Sequence, residues 1–294
     1  MSEKINIYET VGEYTLYSLL ATRGLVVMPG TKVSFDVGRK ISNRAVEAAM
    51  SAGRFMVISS QKDIAEDEPD VDNIYRIGTL VKVKQVLRIN DETTRILVKG
   101  IDRVRISQIY KEGGHYKAVA IKIRSEESAV TGVREQAHMR LLRDLFEQYC
   151  DLAPKPADDA VTHVMTAHTL GELTDVIVGY TFMAYENKQT ALEIADPYER
   201  ADYLADALTT EIEILKTERE IALRVKDQID TNQRDFYLKE QLKAIQSELG
   251  ENELYDEDLD NYSKRIKALD VIESTKAKLL KEVEKLSKMP PMSH

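Results

Sequence analysis

The chain of 294 residues contains no tryptophan, a single cysteine and no long apolar run. A lone Cys150 excludes an intramolecular disulfide and a cysteine-based zinc site, so we interpret it as a small apolar residue on a helix. No stretch approaches the roughly 18 apolar residues that indicate a membrane-spanning helix. The first residues, MSEKINIYET, lack the apolar core of a signal peptide. We therefore expect a cytoplasmic protein that has no membrane partner.

Aromatic residues and phosphate-binding motifs are also scarce. Aromatic residues make up 6% of the chain and charged residues 31%, a balance typical of a modest core attached to long, solvated helices. The motif G-x-x-x-x-G-K-[ST] is absent, so we expect no loop of backbone amides that cradles a nucleotide phosphate. The net charge of −9 disfavours nucleic acid as the main partner. We expect this chain alone to hold no cofactor and no metal ion.

Period-two alternation predicts that strands dominate residues 1–124. Val81 and Val83 alternate with lysines, which is the pattern of a half-buried strand. One short helix, at about 43–51, interrupts the strands. Turn residues and further alternating apolar residues complete the pattern, at Asn90-Asp91-Glu92, Ile96 and Val98, Gly113-Gly114, and Val119, Ile121 and Ile123. The sequence predicts a small mixed or antiparallel sheet.

Residues 125–190 switch to apolar spacings of three and four, which predict helices. Two prolines within Asp151–Pro156 end the first of them. Thr169 and Glu172 have the spacing of a capping box and predict the start of a third helix. The predicted fold class is therefore α+β, with a β-rich N-terminal lobe and a helical subdomain packed on it.

A very long helix is predicted over 196–250. Asp196-Pro-Tyr-Glu199 supplies the residues of a helix start, and neither glycine nor proline follows until Gly250. Apolar residues recur every seven positions along this segment. The stripe is too long for one lobe to cover, so we predict that part of it is buried between subunits. The candidate inter-subunit residues are Leu208, Ile212, Leu215, Ile221, Val225 and Ile229.

A short coiled-coil or helical hairpin is predicted over 251–290. Six acidic residues and no basic residue lie between Glu251 and Asp260, which predicts a solvated turn before the first helix. That helix is expected to begin near Tyr262, and Asp270–Glu273 is a candidate restart for the second.

Three groups of polar residues invite a functional interpretation. His163 and His168 are five residues apart and do not stack as metal ligands would on one helix face. The acidic cluster at 256–260 lacks the glycine and terminal glutamate of a calcium-binding EF-hand loop. A basic strip on one hairpin is an alternative DNA site, but we favour the solvent face of a sheet; it comprises Lys82, Lys84, Arg88, Lys99, Arg103 and Arg105.

Five segments resemble one known family. The segment QRDFYLKEQLKAIQSELGE (233–251) is similar to the signature that joins the N-terminal region of bacterial-type Lon proteases to their ATPase module. Four further segments match the same family in order: GLVVMPG (24–30), FDVGRKISNRAVEAAM (35–50), the hairpin at 74–106 and KMPPM (288–292). The sequence departs from the family at Ala21-Thr22-Arg23-Gly24, where a Pro-Leu-Arg-Asp type of sequence is common.

The resemblance implies the N-terminal portion of an AAA+ serine protease that ends before the ATPase module. Such a portion captures unfolded or degron-bearing proteins and helps to organise a hexamer, while ATP, magnesium and the serine–lysine site belong to the absent modules. By itself the chain should hydrolyse nothing. Methionine adapts to many partners, but we interpret most of the scattered methionines as core residues and expect only one or two at the rim of a substrate groove. The substrate-binding candidates are Met28, Pro29, Met50 and Met56. The alternative is a stand-alone adaptor that binds protein or DNA.

Overall fold

The computed structural model describes residues 10–90, 92–123, 132–153, 160–248 and 251–287. The strands are β1 (Thr10–Thr22), β2 (Lys32–Val37), β3 (Phe55–Ser60), β4 (Ile77–Arg88), β5 (Thr94–Glu112) and β6 (His115–Ile123). The helices are α1 (Lys40–Ser51), α2 (Val133–Leu152), α3 (Ala160–Thr166), α4 (Leu170–Tyr180), α5 (Tyr185–Glu193), α6 (Pro197–Glu248), α7 (Glu251–Ala268) and α8 (Glu273–Ser287).

Five of the six strands form a closed ring. The order is β5-β4-β3-β1-β6, and β6 pairs again with β5. Strands β1 and β3 are parallel, whereas the other pairs are antiparallel. The sixth strand, β2, pairs with the first part of β5. Its second edge has no strand partner within the described residues. The prediction of a mixed sheet with one early helix is confirmed.

Both faces of the sheet contribute to a core. Neighbouring residues on one strand point to opposite faces, and they pack in different clusters. On β1, Leu20 packs in a cluster that includes α1, whereas Leu19 packs in a cluster shared with β5 and β6. On β3, Met56 and Val57 divide in the same way. A third cluster joins the helices α2 to α6 to residues of the sheet such as Ile77.

The helix starts follow the sequence signals. The Thr169 Oγ1 accepts a hydrogen bond from the Glu172 backbone N–H at 3.2 Å. The Asp196 carboxylate accepts from the N–H groups of Tyr198 and Glu199, at 2.7 and 2.9 Å. These caps satisfy donors that have no partner inside the helix. The helix α6 therefore begins where it was predicted to begin.

The chain divides into two compact units, Met1–Thr217 and Glu218–His294, and the division falls inside α6. The first unit contains the sheet, α1 to α5 and the first part of α6. The second contains the rest of α6 and the helices α7 and α8, which contact each other. The predicted helix stop at Gly250 and the boundary at 124/125 lie outside the described residues. The four-part domain division stays a prediction.

One prediction for the second unit is wrong. The acidic segment that begins at Glu251 forms the first half of α7 instead of a solvated turn. Two of the three basic residues of α7, Arg265 and Lys267, lie in its last turn, where the helix dipole stabilises positive charge. The charge pattern thus supports the helix. Among the described residues, none of the helices combines the length and apolarity that a membrane span needs.

Candidate peptide-binding groove

A groove of about 520 Å³ lies in the first unit, beside β2 and the start of α1. Its volume is within the range of roughly 300–1,000 Å³ that is usual for ligand sites. We call it the β2 groove. It is lined by the apolar residues Leu20, Ala21, Leu25, Phe35 and Val37, the polar residues Thr22, Arg23, Asp36, Arg39, Ser42 and Asp67, and Gly38.

A tight turn after β1 forms one wall of the β2 groove. Gly24 has a φ of 61°, in the left-handed region that glycine adopts without strain. The carbonyl of Leu25 then accepts hydrogen bonds from the hydroxyls of Thr22 and Ser60, at 2.7 and 2.8 Å. These two hydroxyl groups therefore hold the backbone of Leu25 at the groove.

The loop after β3 contributes Asp67 to the groove, and Gln61 organises this loop. The Gln61 side-chain amide donates hydrogen bonds to the carbonyls of Asp63 and Glu66, at 2.6 and 2.8 Å. Its backbone N–H donates to the carbonyl of Thr22 at the end of β1, at 2.9 Å. Because Gln61 is fully buried, these bonds fix the loop that carries Asp67.

Arg39 joins the walls of the groove. Its guanidinium donates to the Gln61 side-chain oxygen at 3.1 Å, to the Asp67 carbonyl at 2.7 Å, and to the Ala21 carbonyl. Burial first, and then the nearby positive charge of Arg23, lower the pKa of Arg39 from its usual value. The Arg23 guanidinium itself forms an ion pair with the Asp67 carboxylate.

The strand β2 contributes Phe35, Asp36 and Val37 to the groove. The Asp36 carboxylate accepts two hydrogen bonds from the Arg95 guanidinium, at 2.6 and 2.8 Å, and these bonds lower the pKa of Asp36. The charge of the Asp36 carboxylate is thus already paired with that of Arg95. The groove therefore combines an apolar floor, two arginines and the edge of a strand, which suits binding and not covalent chemistry. Within the described ranges, no three histidine, cysteine or acidic side chains converge as a metal site.

The family profile described as the ATP-dependent protease La (LON) substrate-binding domain matches residues 17–210. This chain belongs to that family. The match covers the ring of strands except the first part of β1, before Tyr17. It also covers the β2 groove and the helices α1 to α5.

Relatives support the assignment. The chain is 35% identical over 279 residues to a Lon protease of Syntrophomonas wolfei, and 38% identical over 275 residues to a Lon protease of Brevibacillus choshinensis. These alignments cover 95% and 94% of this chain but only 34% and 35% of the relatives. The chain thus spans about a third of their length. A solved N-terminal domain of Mycobacterium avium complex Lon protease has the same fold, with a TM-score of 0.53 at 21% identity; the match covers 66% of this chain and 98% of that one.

The residues predicted to contact substrate lie elsewhere in this Lon substrate-binding domain, and two require correction. Met28 and Met56 are fully buried in separate cores, so neither can touch a bound polypeptide. Met50 is half-buried against the α1 cluster, and Pro29 is half-buried. None of the four lines the β2 groove. A sequence signal that could have indicated the groove is Gly38-Arg39, which directly follows the alternating apolar residues Val33, Phe35 and Val37.

The predicted inter-subunit stripe on α6 divides between the two units and needs a similar correction. Leu208 and Ile212 are buried in the helical core of the first unit, and Leu215 packs against it. The buried side chains of Leu208 and Ile212 are not available to another subunit while the unit is folded. Ile221, Val225 and Ile229 belong to the second unit, and each exposes about half of its surface.

The predicted basic strip does not form one surface in the Lon substrate-binding domain. Arg103 is buried and binds the Asp175 carboxylate, while the Lys82 ammonium lies over the Phe55 ring at 5.2 Å. An irregularity opposite Leu80 and Val81, where β5 carries the additional Ile101, turns Arg103 to the other face from Lys99. The arrangement gives no support to a DNA site on this hairpin.

Proposed function

We propose that this chain captures unfolded or damaged polypeptides and delivers them to the ATPase and protease modules of a Lon protease. The observation that carries the proposal is an apolar groove beside a strand with an open edge. Membership of the substrate-binding domain family supports it independently.

The open edge of β2 suits an extended, non-native segment. In an antiparallel pair, residues alternate between those that bond to the neighbouring strand and those that face away. The Gly100 N–H donates to the Thr31 carbonyl at 2.9 Å, so the register places the backbone groups of Ser34 and Asp36 toward the open edge. An unfolded segment can add there as a strand, because backbone hydrogen bonds require no particular sequence.

The apolar floor of the groove adds contacts with side chains of the captured segment. Leu20 is buried, whereas Leu25 and Phe35 are half-buried, so each of the latter keeps some surface for a guest. Such a site should bind weakly, with a Kd in the micromolar range or higher. This corresponds to a binding free energy of about −8 kcal/mol or less favourable. Weak binding suits a domain that must pass its substrate onward.

The second unit suits self-association, and we include assembly into a hexamer of the whole protease in the proposal. Large apolar side chains on its part of α6 are half or more exposed: Ile221, Leu223, Val225, Phe236 and Tyr237. A concentration of exposed apolar surface favours a protein partner. We also propose a cytoplasmic location, since the matched relatives are bacterial Lon proteases.

Ser34→Pro tests the capture of unfolded segments at β2. Proline removes an N–H that faces the open edge, so it should block strand addition while the bonds between β2 and β5 remain. We expect the variant to lose most of its binding to a permanently unfolded protein, measured by titration with chemical-shift mapping. Ser34→Ala, which keeps the N–H, is the matched control and should bind as the wild type does.

Two further measurements make the test decisive. Thermal unfolding of both variants shows whether the sheet is intact, and the folded form of the same test protein should give no shift changes. Unchanged binding by a stable Ser34→Pro variant, or an equal response to folded and unfolded protein, contradicts capture at the β2 edge.

A further inference from the structure

We propose that the β2 groove recognises the free carboxyl terminus of an unfolded chain whose last residue is apolar. This inference rests on the proposed function and specifies which part of a polypeptide the groove takes. The preceding residues of the guest would lie along the open edge of β2, and its final residue would enter the groove.

The charges of the groove favour an anionic group. Two arginines, Arg23 and Arg39, and two carboxylates, Asp36 and Asp67, line it. The Asp36 carboxylate pairs with Arg95, which lies outside the lining, whereas Asp67 pairs with Arg23. The set of Arg23, Arg39 and Asp67 thus carries one net positive charge. One carboxylate from a guest would balance that charge in a partly desolvated place, where charge-assisted hydrogen bonds are stronger than at an open surface.

Arg39 has donor capacity for this carboxylate. Its three hydrogen bonds go to uncharged oxygens of Ala21, Gln61 and Asp67. A guanidinium has five N–H groups, so two remain beyond the bonds made within the described residues. These bonds also hold the side chain in place before a guest arrives, which reduces the entropy lost on binding.

The apolar floor and the arginines lie within one groove of about 520 Å³. A guest must therefore bring an apolar side chain and a carboxylate close together. The end of a chain does so on a single Cα, which carries both the last side chain and the terminal carboxylate. An internal aspartate or glutamate presents its charge on its own side chain and supplies no apolar group at that position.

Three versions of one unstructured ten-residue peptide test the inference on the full 294-residue chain. The first ends in leucine with a free carboxylate, the second ends in leucine amide, and the third is the amide with an internal glutamate. We expect the free acid to bind at least tenfold more tightly than either amide, by fluorescence anisotropy. Arg23→Gln should reduce that difference to less than threefold.

Arg76→Gln is the matched control for the arginine variant. Arg76 pairs with Asp72 at 3.0 Å, and the exposures of this pair, 41% and 88%, resemble the 40% and 92% of Arg23 and Asp67. Arg76 does not line the β2 groove, so its loss should leave the preference for the free acid intact. Thermal unfolding of both variants excludes a general loss of structure.

The outcomes separate this inference from the proposed function. Equal affinity for the acid and the amide, while both still compete with a permanently unfolded protein, overturns the inference and leaves capture in place. Equal affinity for the free acid and the glutamate amide overturns recognition of a chain end in favour of any carboxylate. If neither the peptides nor the unfolded protein bind, both proposals fail.

Discussion

Arg103, Asp175 and Arg200 form a buried group in which two guanidiniums share one carboxylate. Arg103 donates two hydrogen bonds to Asp175, at 2.7 and 2.5 Å, and the Arg200 Nε lies 3.3 Å from the same carboxylate. Burial lowers the pKa of Arg200 to about 10, so this side chain remains a cation at neutral pH. The three residues come from β5, α4 and α6, and they join the helices to the sheet.

The buried carboxylate gives a prediction for stability. Asp175→Asn would leave two buried cations without a counter-charge, which costs on the order of 3–5 kcal/mol. We expect a large decrease in the midpoint of urea unfolding. The control is Asp36→Asn, which breaks an exposed pair with Arg95 and should lower the midpoint far less. Similar small effects of the two substitutions would show that the buried group contributes little.

The sequence could predict residues whose partners are close along the chain. Thr169 and Asp196 cap helices within three residues of themselves, so their roles follow from local spacing. Arg103 bonds to Asp175, 72 residues away, and the bulge that turns it inward leaves no sequence signal. Met28 and Met56 were named as candidate substrate contacts because a methionine pattern does not distinguish a core from a binding site.

At the scale of elements, α6 shows why a repeating apolar stripe is ambiguous. Leu208 and Ile212 pack inside the first unit, whereas Ile229 of the second unit is half exposed. A stripe that packs on its own lobe has the same period as one that packs on another subunit. The sequence therefore predicted the helix and its start but not the partner of each turn. The β2 groove was missed for a related reason, since its walls come from segments separated by loops.

The two parts of α6 should respond differently to a buried charge. Leu208→Asp places a carboxylate in the core of the first unit and should destabilise that unit by several kcal/mol. Ile229→Asp should leave the stability of the first unit unchanged and reduce self-association of the chain. Thermal unfolding and sedimentation velocity measure the two effects. Early melting of the first unit in the Ile229 variant would show that this turn also belongs to its core.

At the scale of the whole molecule, the division into two units predicts independent folding of the first. Residues 1–217 contain the ring of strands, the β2 groove and all the clusters that bury the sheet. A chain that ends at Thr217 should therefore show cooperative thermal unfolding and should bind an unfolded protein with the affinity of the full chain. Circular dichroism and the same titration give the result. Loss of cooperative unfolding would mean that the second unit is required for the fold.

The closed ring of strands has a consequence for synthesis on the ribosome. Thr10 of β1 pairs with Ile123 of β6, so the first strand waits for about 110 further residues before its antiparallel partner exists. At roughly 5–20 residues per second, that delay is on the order of 5–20 s. During this time Leu19 and Leu20, which are buried in the folded protein, are not yet covered by the closed ring of strands. The domain that we propose to capture unfolded chains is thus itself, while nascent, a chain of the kind that chaperones bind.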